Sequence, residues 1–542
     1  MLTRLANGRI VDPANDRDAI GDLWIQDGRI IAPPDNAQPN ETIDLTGCIV
    51  MAGGIDIHTH VAGTNVNTAR LLLPDLRADT AEASIPVSQI IGRLYAAMGY
   101  TMVVEPAISP HVAPQAHLEL ADIPIIDTAI LAVLGNDDYL LRLMANRESP
   151  AAIADYAARV LAGSRAIGIK AINPGAAAAF KSNARSFGLD DAVPNSDVTS
   201  RAIINALQGA TETLGLPHPL HLHCSNLGMP GNAETALATI AAAGDTRLHI
   251  AHLQFYAYGK DGPRGFSSAA PSLAEAVNAR PNITADIGQV MFGQTVTVSS
   301  DVLRQFNARG QAHPRKSVIM DGDGNGGGIV PYRYRKTDFY NAVQWAAGLE
   351  LFLLINDPWR VFFTTDHPNG APFTAYPDLL ALLMDRSLRA QHIESLPKDA
   401  MEVTTLASIT REYTLPEIAV MTRAAPARLL GLPDRGHLGP RARADIAVYR
   451  PQPDIAAMFR DAALVLKDGI PVIRDGIPVA SPFGRAPFGR ALAVRPGFQP
   501  AADRQLAAFY DTTYGVPHTA FDVPAADLLG RTQPFETVPC RT

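Results

Sequence analysis

The chain has 542 residues, 47% of them hydrophobic and 18% charged, with a formal net charge of −8. That supports a large buried core and more than one folded unit, and without a basic run a nucleic-acid partner is not expected. The cysteines, Cys48, Cys224 and Cys540, form no C-x-x-C pair and support neither a disulfide framework nor an iron–sulfur site; no apolar leader follows Met1 and no stretch reaches bilayer-spanning length, so a cytoplasmic protein without membrane contact is expected.

In chain order, the first fifty residues read as short strands split by turns. Leu5–Val11 is one, Gly21–Ile31 is a hairpin turning at Asp27-Gly28, and Glu41–Val50 is another. The same texture returns at Ala444–Tyr449, Ala463–Gly469 and Pro471–Val479, so segments 1–50 and 423–483 are expected to pair into one small composite β-sandwich. Between them, residues 51–422 alternate apolar strands with helical stretches, the pattern of a parallel α/β fold. Eight strands are predicted: Gly54–His60, Tyr100–Glu105, Pro124–Leu134, Ala166–Ile172, Leu220–His223, Arg247–His252, Asn282–Asp286 and Arg360–Asp366. That count and span fit a (β/α)₈ TIM barrel with insertions. The longest insertion runs from Ile287 to about Arg335; its Asp321–Gly328 stretch lacks the closing glutamate of a calcium loop and reads as a flexible, glycine-rich connection. A helix around Phe339–Ile355 precedes strand eight. From 484 to 542 the chain becomes an extended tail rich in proline and aromatics, with a helix expected only around Ala501–Tyr510.

The polar residues fall at the C-terminal strand ends, where barrel active sites are built. Strand one ends His58-Thr-His60, an i,i+2 pair on one strand face that can converge on one ion. Strand four carries Lys170, the first lysine of a lysine-poor chain; strand five ends at His223, strand six at His252, and strand eight at Asp366. Each has a plain structural alternative. His-x-His arises by chance, a strand lysine can snorkel to the surface, and Asp366 could cap a helix before Pro368. His249 has the wrong parity relative to His252, and His221 lies deeper than His223, so both read as structural. His111 and His117, after strand two, read as surface-loop residues rather than site lining. Together the set is far less expected by chance. A buried charged lysine is costly unless paired; carbamylation by CO₂ turns it into an anionic oxygen ligand able to bridge two divalent ions. Imidazoles and carboxylates suit Zn²⁺ with a water at an open position. The expected centre is therefore His58, His60, Lys170, His223, His252 and Asp366, with two zinc ions bridged by carboxylated Lys170. Asp366 would take the proton of an activated water and pass it to the leaving nitrogen.

This constellation resembles the amidohydrolase superfamily, as do the flanks Leu45–His60, Ala424–Gly431 and Ala444–Val448. Several stretches resemble one narrower family, the A subunits of formylmethanofuran dehydrogenases: His60-Val-Ala-Gly63 with Val66-Asn67, Gly168–Gly175, His221–Gly228, Thr284–Gly293, Gln344–Leu351 and, most distinctive, Thr364-Thr-Asp-His-Pro-Asn-Gly-Ala-Pro-Phe373. Asn226, in the third of these, is a candidate substrate contact. The resemblance implies hydrolysis of the formamide C–N bond of formylmethanofuran to formate, within a formyltransferase/hydrolase complex of one-carbon metabolism. The arginine- and alanine-rich composition, and Thr64-Asn65 where the archaeal members carry a lysine, favour the bacterial branch over a formate-condensing archaeal enzyme. A cyclic amidohydrolase, such as a dihydroorotase or dihydropyrimidinase, shares the same centre; a non-catalytic scaffold would have had no reason to keep every ligand. Further subunits follow from the resemblance, and the tail's aromatics are expected to be covered either by one of them or by the chain's own barrel.

Overall fold

The computed structural model describes residues 1–36, 38–73, 88–181, 187–299, 328–479, 489–524 and 535–541. Eight parallel strands follow one another in chain order around a barrel: β1 (Gly54–Asp56), β2 (Tyr100–Ile108), β3 (Asp127–Leu134), β4 (Gly168–Ile172), β5 (Leu220–His223), β6 (Leu248–Ile250), β7 (Ile283–Asp286) and β8 (Val361–Phe362). Each pairs with the next, and a parallel bridge between Thr59 and His367 closes the ring. All eight coincide with predicted strands. The sixth and eighth are shorter than expected because the chain leaves the ladder at its functional end: His252 and Asp366 have φ of +34° and +51°, which no β-strand accommodates. Met102, Val104, Ile130, Ile169, Leu222, Ile250 and Ala285 fill the barrel and are fully buried. Helix Phe339–Leu354, capped by Asp338 on the amide of Asn341, precedes strand eight as expected.

The two flanks share one sheet. Ile49–Ala52 from the N-terminal side runs antiparallel to Ile446–Tyr449 from the C-terminal side, and Ile446–Tyr449 pairs in turn with Leu464–Lys467. The nine strands form one continuous ladder rather than two separately bonded sheets, so "sandwich" describes only its packing around a second core of Leu5, Ile10, Leu23, Ile25, Ile446, Val448, Leu464 and Leu466. The Asp27-Gly28 turn forms with φ of +51° and +76°, as the predicted hairpin requires. A helical run from Leu415 to Leu429 crosses the expected boundary at 422/423 and packs into the barrel core through Ile418, Ala425 and Ala427. Within the insertion after strand seven, Gly293–Ser299 and Gly328–Tyr334 form a hairpin; residues 321–327 of the glycine-rich stretch lie outside the described residues.

The tail is not the extended arm expected. Its strand β9 (Ala491–Val494) lies parallel to the lower half of β3, Ala491 opposite Thr128 and Leu492 opposite Ala129. The Val494 amide donates to the Ala166 carbonyl at 3.0 Å. β9 is thus wedged between the N-terminal ends of β3 and β4, which pair directly only from Leu131 and Gly168 onward, and β10 (Glu536–Val538) continues the sheet outward. Helix Pro500–Tyr514 covers the barrel helix Pro150–Ser164, where Arg159 pairs with Asp503 and Asp522 at 2.8 Å each. Phe509 packs on Tyr139, Tyr510 and Phe521 on His111, and Phe535 on His117. These aromatics are covered by the chain's own barrel; Phe483 and Phe488 lie outside the described residues. His117 is correspondingly buried on helix Ala113–Ala121, its Nε2 donating to the Ser164 carbonyl at 2.9 Å, not in a surface loop; His111 is exposed as expected. A buried charge cluster locks barrel, flanking sheet and tail together. Asp127 of β3 meets Lys467 at 3.0 Å and Arg435 at 2.9 Å, and Arg435 reaches Glu536 of β10 at 2.9 Å. The paired cations hold Asp127 well below the usual carboxylate range despite its burial.

Candidate metal centre

His58 and His60 follow β1 on the same strand face, and each ring is held from behind by a carboxylate. His58 Nδ1 lies 3.0 Å from Asp286 Oδ2 at the end of β7. His60 Nδ1 lies 3.0 Å from Glu105 Oε1 on β2, while Glu105 Oε2 accepts from the amides of Val61 and Ala62 at 2.6 and 3.0 Å. Both Nε2 atoms therefore turn inward, where they meet one atom of Asp366: its Oδ1 stands 3.1 Å from His58 Nε2 and 3.2 Å from His60 Nε2. The second oxygen, Oδ2, accepts from Asn369 Nδ2 at 3.0 Å. Asp366 does not cap a helix; its amide is fixed by Thr364 Oγ1 at 2.9 Å, in left-handed backbone.

His252 joins this group. Candidate ligand atoms of His58, His252 and Asp366 all lie within 4.8 Å of one another. His223 is buried with its ring centroid 4.7 Å from that of His252. Lys170 is 1% exposed, on β4 opposite His221 of β5. Burial pulls its pKa down to about 8, opposed by the charges of Asp286, Asp366 and Glu105. It is thus no snorkelling lysine. Asn226 takes left-handed backbone at φ +73° and donates its Nδ2 to Thr235 Oγ1 at 2.8 Å, which anchors it to the following helix and leaves its buried Oδ1 without a hydrogen bond.

The donor set fits a divalent ion. His58 Nε2, His252 Nδ1 and Asp366 Oδ1 are buried polar atoms without a hydrogen-bond partner, and they come from the three residues that converge. Native proteins seldom leave such atoms orphaned, and nitrogen with carboxylate oxygen is a zinc-type donor set. The 3.1–3.2 Å contacts of Asp366 Oδ1 lack hydrogen-bond angles, as donors grouped around an ion would. Charge follows the same logic. Burial pushes Asp366 up, but His58 and His252 outweigh it and hold the carboxylate well below its usual range. Burial keeps His252 well below its usual value and so neutral, the form that ligates. Burial also works against charge on His58 and His60. There the flanking carboxylates win, Asp286 and Asp366 for His58, Glu105 and Asp366 for His60, raising the latter to about 10.

Sequence reasoning placed Glu105 and Asp286 at strand ends but gave them no role, because a lone carboxylate there carries no local pattern. Gly288 was also passed over. It has φ of +67°, and a Cβ there would stand 2.4 Å from His252 Cβ, so the backbone of the β7–β8 connection passes too close to the ligand for any side chain. His221 and His249 are structural, as expected. His221 Nε2 lies 3.0 Å from His58 Nδ1 and its Nδ1 3.0 Å from His218 Nε2, a buried histidine column beneath the centre. The grouping of His58, His221 and Asp286 is accounted for by these mutual hydrogen bonds and leaves no inward-facing donor for a second ion.

A (β/α)₈ barrel with a composite flanking sheet and a His/Lys/Asp cluster at its C-terminal mouth defines an amidohydrolase, and the chain belongs to the amidohydrolase family, whose model matches residues 41–473. Within it, the chain is 48% identical, over the full length of both proteins, to the A subunit of the formyltransferase/hydrolase complex Fhc from Methylorubrum extorquens. The crystal structure of that complex with methylofuran contains a chain matching this one at TM-score 0.94 over 100% of both. Protein FwdA of Methanocaldococcus jannaschii is 37% identical over 83% of each chain.

Proposed function

We propose that this chain is the hydrolytic component of a bacterial-type formyltransferase/hydrolase complex, releasing formate and the free amine from a formylmethanofuran-type carrier. The observation that supports it most is the whole-length likeness to the Fhc hydrolase component in a chain whose orphaned donors, His58 Nε2, His252 Nδ1 and Asp366 Oδ1, meet at the barrel mouth. In this reading His58, His60, Lys170, His223, His252 and Asp366 hold two zinc ions. When bound, these ions would polarise the formyl carbonyl and make the attacking water acidic. Asp366 accepts the water's proton at Oδ1 and returns it to the departing amine nitrogen. Asn369 holds the other oxygen, so the proton has one place to go. Glu105 and Asp286 hold the imidazoles through Nδ1.

Lys170 is the bridging ligand as its carbamate. The neutral Nζ attacks CO₂, a C–N bond forms and one proton leaves. A pKa of about 8 leaves a useful fraction of neutral amine near neutral pH, whereas an ordinary lysine offers almost none. Asn226 is retained as a candidate substrate contact through its unpaired Oδ1. The enzyme works in the cytoplasm beside the other components of its complex; among the described residues no helix is long and apolar enough to cross a membrane. The test is formate release from formylmethanofuran or a close N-formyl amine by the metal-loaded protein or its complex. A fully loaded preparation that cleaves dihydroorotate or hydantoins but no N-formyl amine defeats the proposal in favour of a cyclic amidohydrolase.

A further inference from the structure

We propose that Asp286, at the end of β7, is the positioning residue of the centre: it fixes the imidazole tautomer of His58 and, through its other oxygen, the backbone of His252. The inference rests on the metal reading above, because its effect is on two candidate ligands. Asp286 is fully buried. Its Oδ2 faces His58 Nδ1 at 3.0 Å and His249 Nε2 at 3.1 Å, with His221 Nε2 at 3.5 Å. Its Oδ1 accepts from the His252 amide at 2.7 Å.

Proton accounting gives the carboxylate its role. The Thr284 hydroxyl donates to His249 Nδ1 at 2.9 Å, which leaves His249 Nε2 to carry the proton it gives to Asp286. A carboxylate only accepts, so the His58 nitrogen facing it carries a proton as well. A neutral imidazole has one N–H, so His58 Nε2 is left bare, and that is the buried atom without a hydrogen bond beside Asp366. The other half of the carboxylate acts where His252 enters left-handed backbone at φ +34°, a conformation costly for a histidine unless its amide is held. One side chain therefore aims a ring nitrogen from β1 and a ring from the end of β6 at the same point.

Asp286→Asn keeps the shape and breaks the rule. With the amide nitrogen on the histidine side, a donor faces His58 Nδ1 and pushes the proton to Nε2, the atom needed by the ion. Turned over, the amide nitrogen meets the His252 N–H, donor against donor. Zinc affinity and stoichiometry, measured by chelator competition on the full-length protein, should fall by about 10- to 100-fold for Asp286→Asn. The circular-dichroism spectrum should stay native. The loss should shrink in a His58→Ala background, because part of it acts through His58. In the zinc-loaded wild type, ¹⁵N-histidine spectra should show His58 protonated at Nδ1, a readout independent of whether the variant folds. Wild-type zinc affinity in a folded Asp286→Asn protein, an undiminished effect in the His58→Ala background, or an unprotonated His58 Nδ1 would each overturn the proposal. A wild-type protein that binds no zinc overturns the metal reading with it, an outcome distinct from the other three.

Discussion

Replacing Asp366 with asparagine separates ion holding from proton handling, and the surroundings of Asp366 set the size of the effect. Its Oδ2 accepts from Asn369 Nδ2 at 3.0 Å, and Asn369 cannot turn over, because its own Oδ1 accepts from the Val298 amide at 2.7 Å. Its Oδ1 faces the Nε2 atoms of His58 and His60 at 3.1 and 3.2 Å. In Asp366→Asn the new amide nitrogen therefore meets either the Asn369 donor or the ion side of the pocket. The first placement keeps an oxygen ligand and leaves a buried donor pair unsatisfied, at about 1–3 kcal/mol of stability. The second loses the ligand, so the first should prevail and metal should stay bound. What disappears is the group that carries the proton. General acid–base catalysis is worth about 10²–10⁴ in rate, or about 2.7–5.4 kcal/mol at the barrier. Turnover should fall at least about 100-fold while KM changes little. Formate release at saturating substrate, with metal content measured by mass spectrometry on the same sample, checks it. Full metal content with unchanged turnover would refute the reasoning and assign the proton to another group.

Lys170→Ala should abolish activity and lose at least one metal ion, with partial rescue by short carboxylic acids; full metal and normal turnover in the variant would exclude a bridging role. In the metal-free protein, Glu105 and Asp366 outweigh burial and raise His60 to about 10, above its usual 6.5. An ion must displace that proton, so zinc affinity should rise with pH up to about 10, and a pH-independent titration would contradict it. By the same raised pKa, His60 stabilises the metal-free fold fully below pH 6.5 and loses that contribution as pH climbs through about 10; melting curves of the metal-free protein should show the decline. Gly288→Ala should displace His252 and lower metal affinity with little change in secondary structure; wild-type affinity would show that the loop yields. Deleting residues 484–542 removes β9, whose Leu492 and Val494 are fully buried, along with Glu536 of the charge cluster. The truncated chain should be poorly soluble or melt at a markedly lower temperature without any partner present, and an unchanged melting curve would show that the tail is dispensable to the barrel.

The eight barrel strands and the strand-end residues His58, His60, Lys170, His223, His252 and Asp366 were readable from the sequence, because period-two apolar patterning and i,i+2 parity are local properties of a strand. The same parity separated His249 from His252. What parity could not show is which nitrogen of each ring faces inward, since that depends on Asp286 and Glu105, carboxylates 228 and 45 residues away from the histidines they hold. Nor does local sequence reveal that Gly288 is required by the approach of His252, or that His117 is buried under Phe535. The tail shows the limit most plainly. Ala491-Leu-Ala-Val494 is four residues with no turn partner nearby, and its ladder neighbour is Thr128–Ala129. Composition determined that the tail's aromatics would be covered. Only the tertiary structure decided that the cover is the chain's own barrel, because the hydrogen-bonding edge that accepts β9 exists only after β3 and β4 have splayed apart at their feet.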